Sequence, residues 1–349
     1  MTITVTVRQH ATPIAVSEGG TILEAALDQG VPYPHGCRSG NCGACKSRLE
    51  SGDVELAAYS EFALSDEERA QGLILACRAM PWSDAVVSWL DSDEVVLHPE
   101  RRLSCRVVGI EAMTHDIKCV RLAVESGGPF TFSAGQYASV RFADLPARDY
   151  SMANRPDRSV LEFHIRRMGA GSVSAHVAEH LRSGDAVTVQ GPFGTSYLRD
   201  KHSGPIVAIA GGSGLAPIKS IIDAALLQGL RQPIHLFFGA REERDIYLED
   251  YFNVLTARHA NFRFIPVLSA PSGPTTRRVG LVHEAAAADL DDLDGAKAYL
   301  AGPPPMVEAA TTLLLERGVR RGDIHADAFY TEAEKQALEA KVPLAAAAQ

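Results

Sequence analysis

Thr2 to Val7 alternates polar and apolar side chains, Pro13 to Ser17 reads as a second short strand, and after Gly19-Gly20 the stretch TILEAALDQG shifts to helical spacing that stops at Gly30. The pattern predicts strand, strand, helix. It then dissolves into HGCRSGNCGAC, residues 35–45, where glycine, serine and cysteine replace any periodicity. Residues 91–102 are polar and charged with one proline, which places a linker at 96–102. From Leu103 to about Arg199 the β-rich runs GQYASVRF, SVLEFHIRR and DAVTVQG are spaced by turn residues and predict an antiparallel β-barrel. After Gly204, apolar runs alternate with helical stretches: PIVAIAGG with LAPIKSIIDAALLQG, PIHLFFGA with YLEDYFNVLTARH, KAYLAGP with PMVEAATTLLLERG. That alternation predicts an α/β domain with a parallel sheet. The expected organisation is therefore 1–95, the linker 96–102, a barrel at 103–200, an α/β domain at 204–330 and a tail at 331–349 with no identifiable packing partner.

With 349 residues, 46% of them hydrophobic, the chain can fill several cores. No stretch approaches the roughly 18 to 20 apolar residues of a membrane span. MTITVTVRQH lacks the basic start and apolar block of a signal peptide. Six cysteines are too few for a disulfide framework, so a reducing cytoplasm is the expected location. Charge changes the picture more. Residues 1–100 hold 15 acidic and 6 basic side chains, while the remainder holds 28 of each, so the whole net charge of −9 lies in the first hundred. This argues against nucleic acid as a ligand and suits an encounter with a basic protein surface, although plain solubility explains it equally.

Cys37, Cys42 and Cys45 follow the spacing C-x4-C-x2-C, and Cys77 arrives at the end of GLILAC. This is the plant-type iron-sulfur spacing. Three thiolates must converge on two irons, and Gly36, Gly40, Gly43 and Ala44 let backbone N–H groups approach the sulfurs. A four-cysteine zinc site and a disulfide pair are the competing readings, but zinc motifs usually bring thiols as two C-x2-C pairs. Cys105 and Cys119 sit in strand-like apolar runs and read as core.

On these residues, the first 95 resemble a plant-type 2Fe-2S ferredoxin, whose fold is a β-grasp. RDYSMAN, 148–154, resembles the R-x-Y-S motif of the ferredoxin-NAD(P)H reductase family. The resemblance implies that Arg148 neutralises the pyrophosphate of FAD, Tyr150 lies on the isoalloxazine and Ser151 hydrogen-bonds flavin N5. FHIRR, with His164 and Arg166, and GAGSVSAHV, with Gly169, Gly171, Ser172, Val173 and Ser174 opening a helix, follow in the family's order as further cofactor-binding positions. Many relatives read P-G-G where this chain has Met168-Gly169-Ala170-Gly171.

AGGSGLAPIKS, 210–220, matches the family's G-G-x-G-L-A-P form, so Gly211, Gly212 and Gly214 would admit the NADH backbone. In FFGAREERDIY, Glu242 and Glu243 would accept from ribose hydroxyls and repel a 2′-phosphate, whereas Arg241 and Arg244 act the other way. AGPPPMVEAA resembles the family's C-G-P-P-P-M segment, which implies that Gly302 and Pro303 lie beside the nicotinamide, with Ala301 where a cysteine is common. In HADAFY, Phe329 would cover the flavin.

The family passes electrons from NADH to FAD to 2Fe-2S, and the flavin converts a hydride's pair into single electrons. HPERRLSCRVVGIEAMTHDIKCVRL and YLRDKHSGP look closest to reductases of Rieske aromatic-ring dioxygenases, with an oxygenase component or small ferredoxin as acceptor. Reductases of diiron or haem monooxygenases share the layout, and a deoxysugar dehydratase system is a further alternative. A non-enzymatic redox sensor would need an output domain that no segment offers.

Overall fold

The computed structural model describes residues 2–36, 38–40, 43–61, 63–90, 96, 98–169, 172–291, 293–331, 333 and 334. Cys37, Cys42, Gly171 and most of the 331–349 tail lie outside the described residues. Two compact units form, one from residues up to 97 together with Tyr330, the other from 98–329.

The first unit contains β1 (Thr2–Val7), β2 (Ile14–Ser17), α1 (Ile22–Asp28), β3 (Lys46–Ser51), β4 (Val54–Leu56), α2 (Asp66–Ala70), β5 (Leu73–Leu75), β6 (Ala79–Pro81) and β7 (Ala85–Trp89). Alternation does in β1 what it predicts, burying Val5 and Val7. Thr21 caps α1 by accepting from the Glu24 amide, and Ile22, Leu23 and Ala26 face the core. The sheet runs β2-β1-β7-β3-β5, with β1 and β7 parallel and the other pairs antiparallel: a β-grasp. In its core the fully buried Tyr33 hydroxyl and Ser47 Oγ lie 2.6 Å apart, so neither polar atom is stranded.

The second unit begins with β8 (Arg101–Ala112), β9 (Ile117–Ser126), β10 (Tyr137–Phe142), β11 (Arg148–Ser151), β12 (Val160–Arg166), α3 (Ser172–Glu179) and β13 (Ala186–Phe193). Arg101 and Arg102, inside the expected linker, are already part of β8. The antiparallel order is β11-β10-β13-β8-β9-β12, and a bridge between Met152 and Phe163 draws the edges into a nearly closed barrel around Leu103, Val120, Phe142, Phe163 and Val189.

There follow β14 (Ile206–Gly211), α4 (Leu215–Leu227), β15 (Ile234–Ala240), α5 (Glu249–Arg258), β16 (Phe262–Leu268), β17 (Arg278–Val279), α6 (Val282–Asp289), β18 (Lys297–Gly302), α7 (Pro304–Glu316) and β19 (Ile324–Ala328). All residues of β14 and β18 are buried, which is why they read as unbroken apolar runs. Lys297 is the exception, and it pairs with Asp323 at 2.6 Å. The parallel order is β17-β16-β15-β14-β18-β19, so the chain's direction of travel across the sheet reverses between β14 and β18. A crevice at the strands' carboxyl ends belongs there. No helix among the described residues is long and apolar enough to cross a membrane.

Candidate functional site

Cys45 immediately precedes β3 and Cys77 follows β5, and both are buried. The ladder between those strands sets them side by side: Ala76 donates to the Cys45 carbonyl at 3.1 Å, and the Cys77 amide donates to Cys45 Sγ at 3.4 Å. An N–H aimed at a sulfur is what a cluster thiolate takes. Gly43 has φ +71°, and a Cβ there would meet the Ala63 carbonyl oxygen at 3.1 Å, so the loop needs glycine for its backbone as well as its bareness. The soft donors and the tight loop fit a 2Fe-2S cluster.

Within the second unit, β11 puts Arg148 and Tyr150 on one face and Ser151 on the other. A guanidinium fork and a flat ring in one row fit the diphosphate and ring of a flavin. Burial pushes the Tyr150 phenol up to about 12, so it stays protonated at neutral pH. Ser151 Oγ donates to Asp327 Oδ2 in β19 at 3.2 Å. Register then assembles the remainder: Ala210 pairs with Ala301, Ala301 with Asp327 and Gly302 with Ala328, while the Phe329 amide donates to the Gly302 carbonyl at 2.9 Å. Gly211, Gly302, Pro303, Asp327 and Phe329 thus gather where the strand order reverses. A Cβ on Gly214 would fall 2.1 Å from the Ala301 carbonyl oxygen, so this glycine serves the packing of turn on strand. The N-terminus of α4 carries no side-chain cap, leaving its amides for a pyrophosphate.

His164 and Arg166 occupy the boundary between barrel and sheet. Arg166 Nε donates to Asp116 at 2.7 Å, and its Nη1 lies 3.0 Å from where a Gly212 Cβ would stand, which points its charge at the dinucleotide turn. The buried His164 has Nδ1 3.1 Å from the Tyr247 hydroxyl and Nε2 3.3 Å from Glu162. With His164 neutral and its Nε2–H on Glu162, the Tyr247 hydroxyl donates to Nδ1, and the same oxygen lies 3.4 Å from the Gly212 carbonyl. Donor atoms of Cys119, Glu162 and His164 fall within 4.8 Å of one another, but Lys219 at 3.5 Å and Arg121 at 3.4 Å already neutralise Glu162. The cluster is a satisfied hydrogen-bond network, unsuited to a metal. Ser172 opens α3, and Ser174 Oγ accepts from the Met168 amide at 3.0 Å, holding the turn before it.

Burial raises the Glu162 carboxyl, yet the His164 hydrogen bond and the Lys219 and Arg121 charges outweigh it and bring it down to about 2. Burial holds His164 below the usual imidazole range, so it is neutral. Both depressed values stabilise the fold at high pH. The His164 contribution starts to fade as pH drops below about 6.5, and that of Glu162 drains between about 4.5 and 2. Glu162→Gln should therefore unfold at a lower temperature than the parent at pH 7, with the deficit shrinking below pH 4.5; a deficit independent of pH would contradict the assignment.

Just past β15, where the sequence reading expects the ribose, Glu242 pairs with Arg244 at 3.2 Å, and its amide donates to Asp245 at 3.0 Å. Arg241 is exposed beside it. The sequence reading assigned no role to Asp327, Glu162, Lys219, Tyr247 or Arg277, although Asp327 stands in HADAFY, Lys219 in AGGSGLAPIKS and Tyr247 in FFGAREERDIY.

Residues 5–81 match the 2Fe-2S iron-sulfur cluster binding domain, 104–197 the oxidoreductase FAD-binding domain and 208–312 the oxidoreductase NAD-binding domain. The ferredoxin–NAD(P)+ reductase component of the naphthalene 1,2-dioxygenase/salicylate 5-hydroxylase systems of Ralstonia sp is 41% identical over 314 residues, 89% of this chain and 94% of its own. The reductase component of phenol 2-monooxygenase from Pseudomonas sp. strain CF600 is 38% identical over 341 residues, 96% of each chain. The crystal structure of the Amycolatopsis reductase GcoB superposes with a TM-score of 0.76 at 35% identity, covering 94% of this chain and 98% of that one. The chain belongs to the ferredoxin–NAD(P)+ reductase family of oxygenase reductase components, with 2Fe-2S, FAD- and NAD-binding domains in one polypeptide.

Proposed function

We propose that this chain is the NADH-dependent reductase component of an aromatic-ring dioxygenase system in the cytoplasm, taking two electrons as hydride from one NADH and delivering them singly to an oxygenase component or small ferredoxin. The observation that carries the reading is the Ser151–Asp327 hydrogen bond, which brings the R-x-Y-S strand of the barrel onto the carboxyl ends of β18 and β19. When bound, the flavin supplies conversion of an electron pair into single electrons, and the cluster single-electron carriage.

The protein's own residues would do the rest. Arg148 clamps the flavin diphosphate, and Tyr150 offers a ring face and a protonated hydroxyl. Asp327 accepts from Ser151 and so fixes the direction of its hydroxyl; both can hold a proton beside the hydride path. Backbone at Gly211, Gly212 and Gly302–Pro303 lets a nicotinamide dinucleotide approach closely, Arg166 brings charge to its pyrophosphate, and Phe329 shields the reacting faces from water. Cys37, Cys42, Cys45 and Cys77 hold the two irons, and the acidic first unit steers a basic partner.

Service to a monooxygenase of the diiron type is the second reading, and it is favoured by the match of a phenol 2-monooxygenase reductase component along 96% of this chain. Visible spectra taken before and after NADH without air should show flavin and iron-sulfur bands that both bleach, and flavin bleaching alone would overturn the relay. Turnover with an added Rieske oxygenase against an added diiron hydroxylase decides between the two partners.

A further inference from the structure

Glu243, read from the sequence as a ribose ligand, is committed elsewhere. Its Oε1 accepts from Thr275 Oγ1 at 2.6 Å and its Oε2 from Arg277 Nε at 2.5 Å. The other two guanidinium nitrogens of Arg277 form a fork on Glu249, Nη1 to Oε1 at 2.5 Å and Nη2 to Oε2 at 3.0 Å. The Arg277 amide donates to Thr275 Oγ1 at 3.0 Å, which fixes the base of the clamp. All three guanidinium nitrogens are therefore aimed at carboxylates.

Position makes this matter. Ser269 and Ala270 donate to the Ala240 and Arg241 carbonyls, each at 2.9 Å, so the loop after β16 runs beside the loop after β15. In such sheets the adenosine ribose lies just past the second strand, which here is β15. Arg277 precedes β17, the strand paired to β16, and its contact with Glu243 sets its guanidinium at this rim. A 2′-phosphate carries roughly two negative charges and is matched best by an arginine fork. This arginine is turned away from it.

We propose that Glu243 and Glu249 set nucleotide choice by clamping Arg277, so that the protein prefers NADH because its best-placed 2′-phosphate ligand is already spent. Thr275 and Arg277 hold the Glu243 carboxyl below its usual range, and Glu249, then Glu243, raise the Arg277 guanidinium, which favours the charged forms of Glu243 and Arg277. Arg244 is similarly occupied by Glu242. The inference rests on the nucleotide site proposed above and deepens it.

The test compares binding of adenosine 2′,5′-bisphosphate with binding of AMP by calorimetry, for the cofactor-loaded protein and two variants. In Glu243→Gln/Glu249→Gln the ratio of the two affinities should move toward the bisphosphate by about tenfold or more, the worth of one charge-assisted hydrogen bond. Adding Arg277→Ala should return the ratio to near its starting value. An unchanged ratio in the double variant overturns the clamp, and so does a gain that survives loss of Arg277, since removal of negative charge would then explain it. The ratio of kcat/KM for NADPH and NADH should move in parallel. Failure of AMP to bind even the unaltered protein would instead overturn the nucleotide site on which the clamp depends.

Discussion

Cys77→Ser is expected to lower cytochrome c reduction by more than about a hundredfold, beyond the 10- to 100-fold that loss of an outer-shell partner costs, while NADH-driven reduction of a two-electron dye stays near the parent rate. The split follows from the architecture. Cys77 lies in the first unit beside Cys45, and its amide bonds that sulfur. Residues expected to handle hydride lie in the second unit, among 98–329, which has its own core and sheets. A serine hydroxyl is a poor replacement for a soft thiolate on iron. Stopped-flow spectra together with the two steady-state assays check this. Equal loss of both activities would show that the cysteine supports the whole molecule and not one leg of the relay.

Ser151→Ala should reduce turnover with the two-electron dye by about a hundredfold, the low end of what removing one preorganised hydrogen-bond donor costs, with the KM for NADH little changed. Asp327→Asn separates orientation from charge, because its amide oxygen can still accept from Ser151 at the same place. If Asp327 only orients the hydroxyl, the asparagine variant keeps most of the rate and the parent's pH profile. If the carboxylate also holds a proton, the rate falls and the acid limb of the profile disappears. A rise in KM with kcat intact for Ser151→Ala would place the serine in uniform binding and remove it from the reaction.

Local signals were the legible ones. The cysteine spacing, the alternation in β1 and the helical spacing that stops at Gly30 each sit within one short window, and each states its own physics. Unbroken apolar runs announced β14 and β18 because burial on both faces leaves no polar positions to alternate with. What stayed hidden was whatever sheet register creates. Asp327 lies 176 residues from Ser151, and only the pairing of β19 with β18 delivers it. Glu162 and His164 share a face of β12 whose partners, Lys219 and Tyr247, come from another domain. Glu243 looked available because its sequence neighbours are polar, while Arg277 stands 34 residues downstream in a stretch without motif. His164 carried the opposite ambiguity, since a histidine in a cofactor motif and one buried in a seam read alike.

That seam has a consequence for how the dinucleotide gets in and out. Ser220 Oγ donates to the Asn154 carbonyl at 2.7 Å, Lys219 reaches the Ala153 carbonyl at 3.2 Å, and His164 meets Tyr247, all across the line between barrel and sheet. Swinging the two halves apart would strand several buried polar groups at once, each at a cost of about 1–3 kcal/mol. The molecule is thus built as a fixed jaw. With that jaw fixed, and with Phe329 covering the flavin as proposed above, exchange of oxidised for reduced nicotinamide would go through displacement of that one ring and not through a hinge.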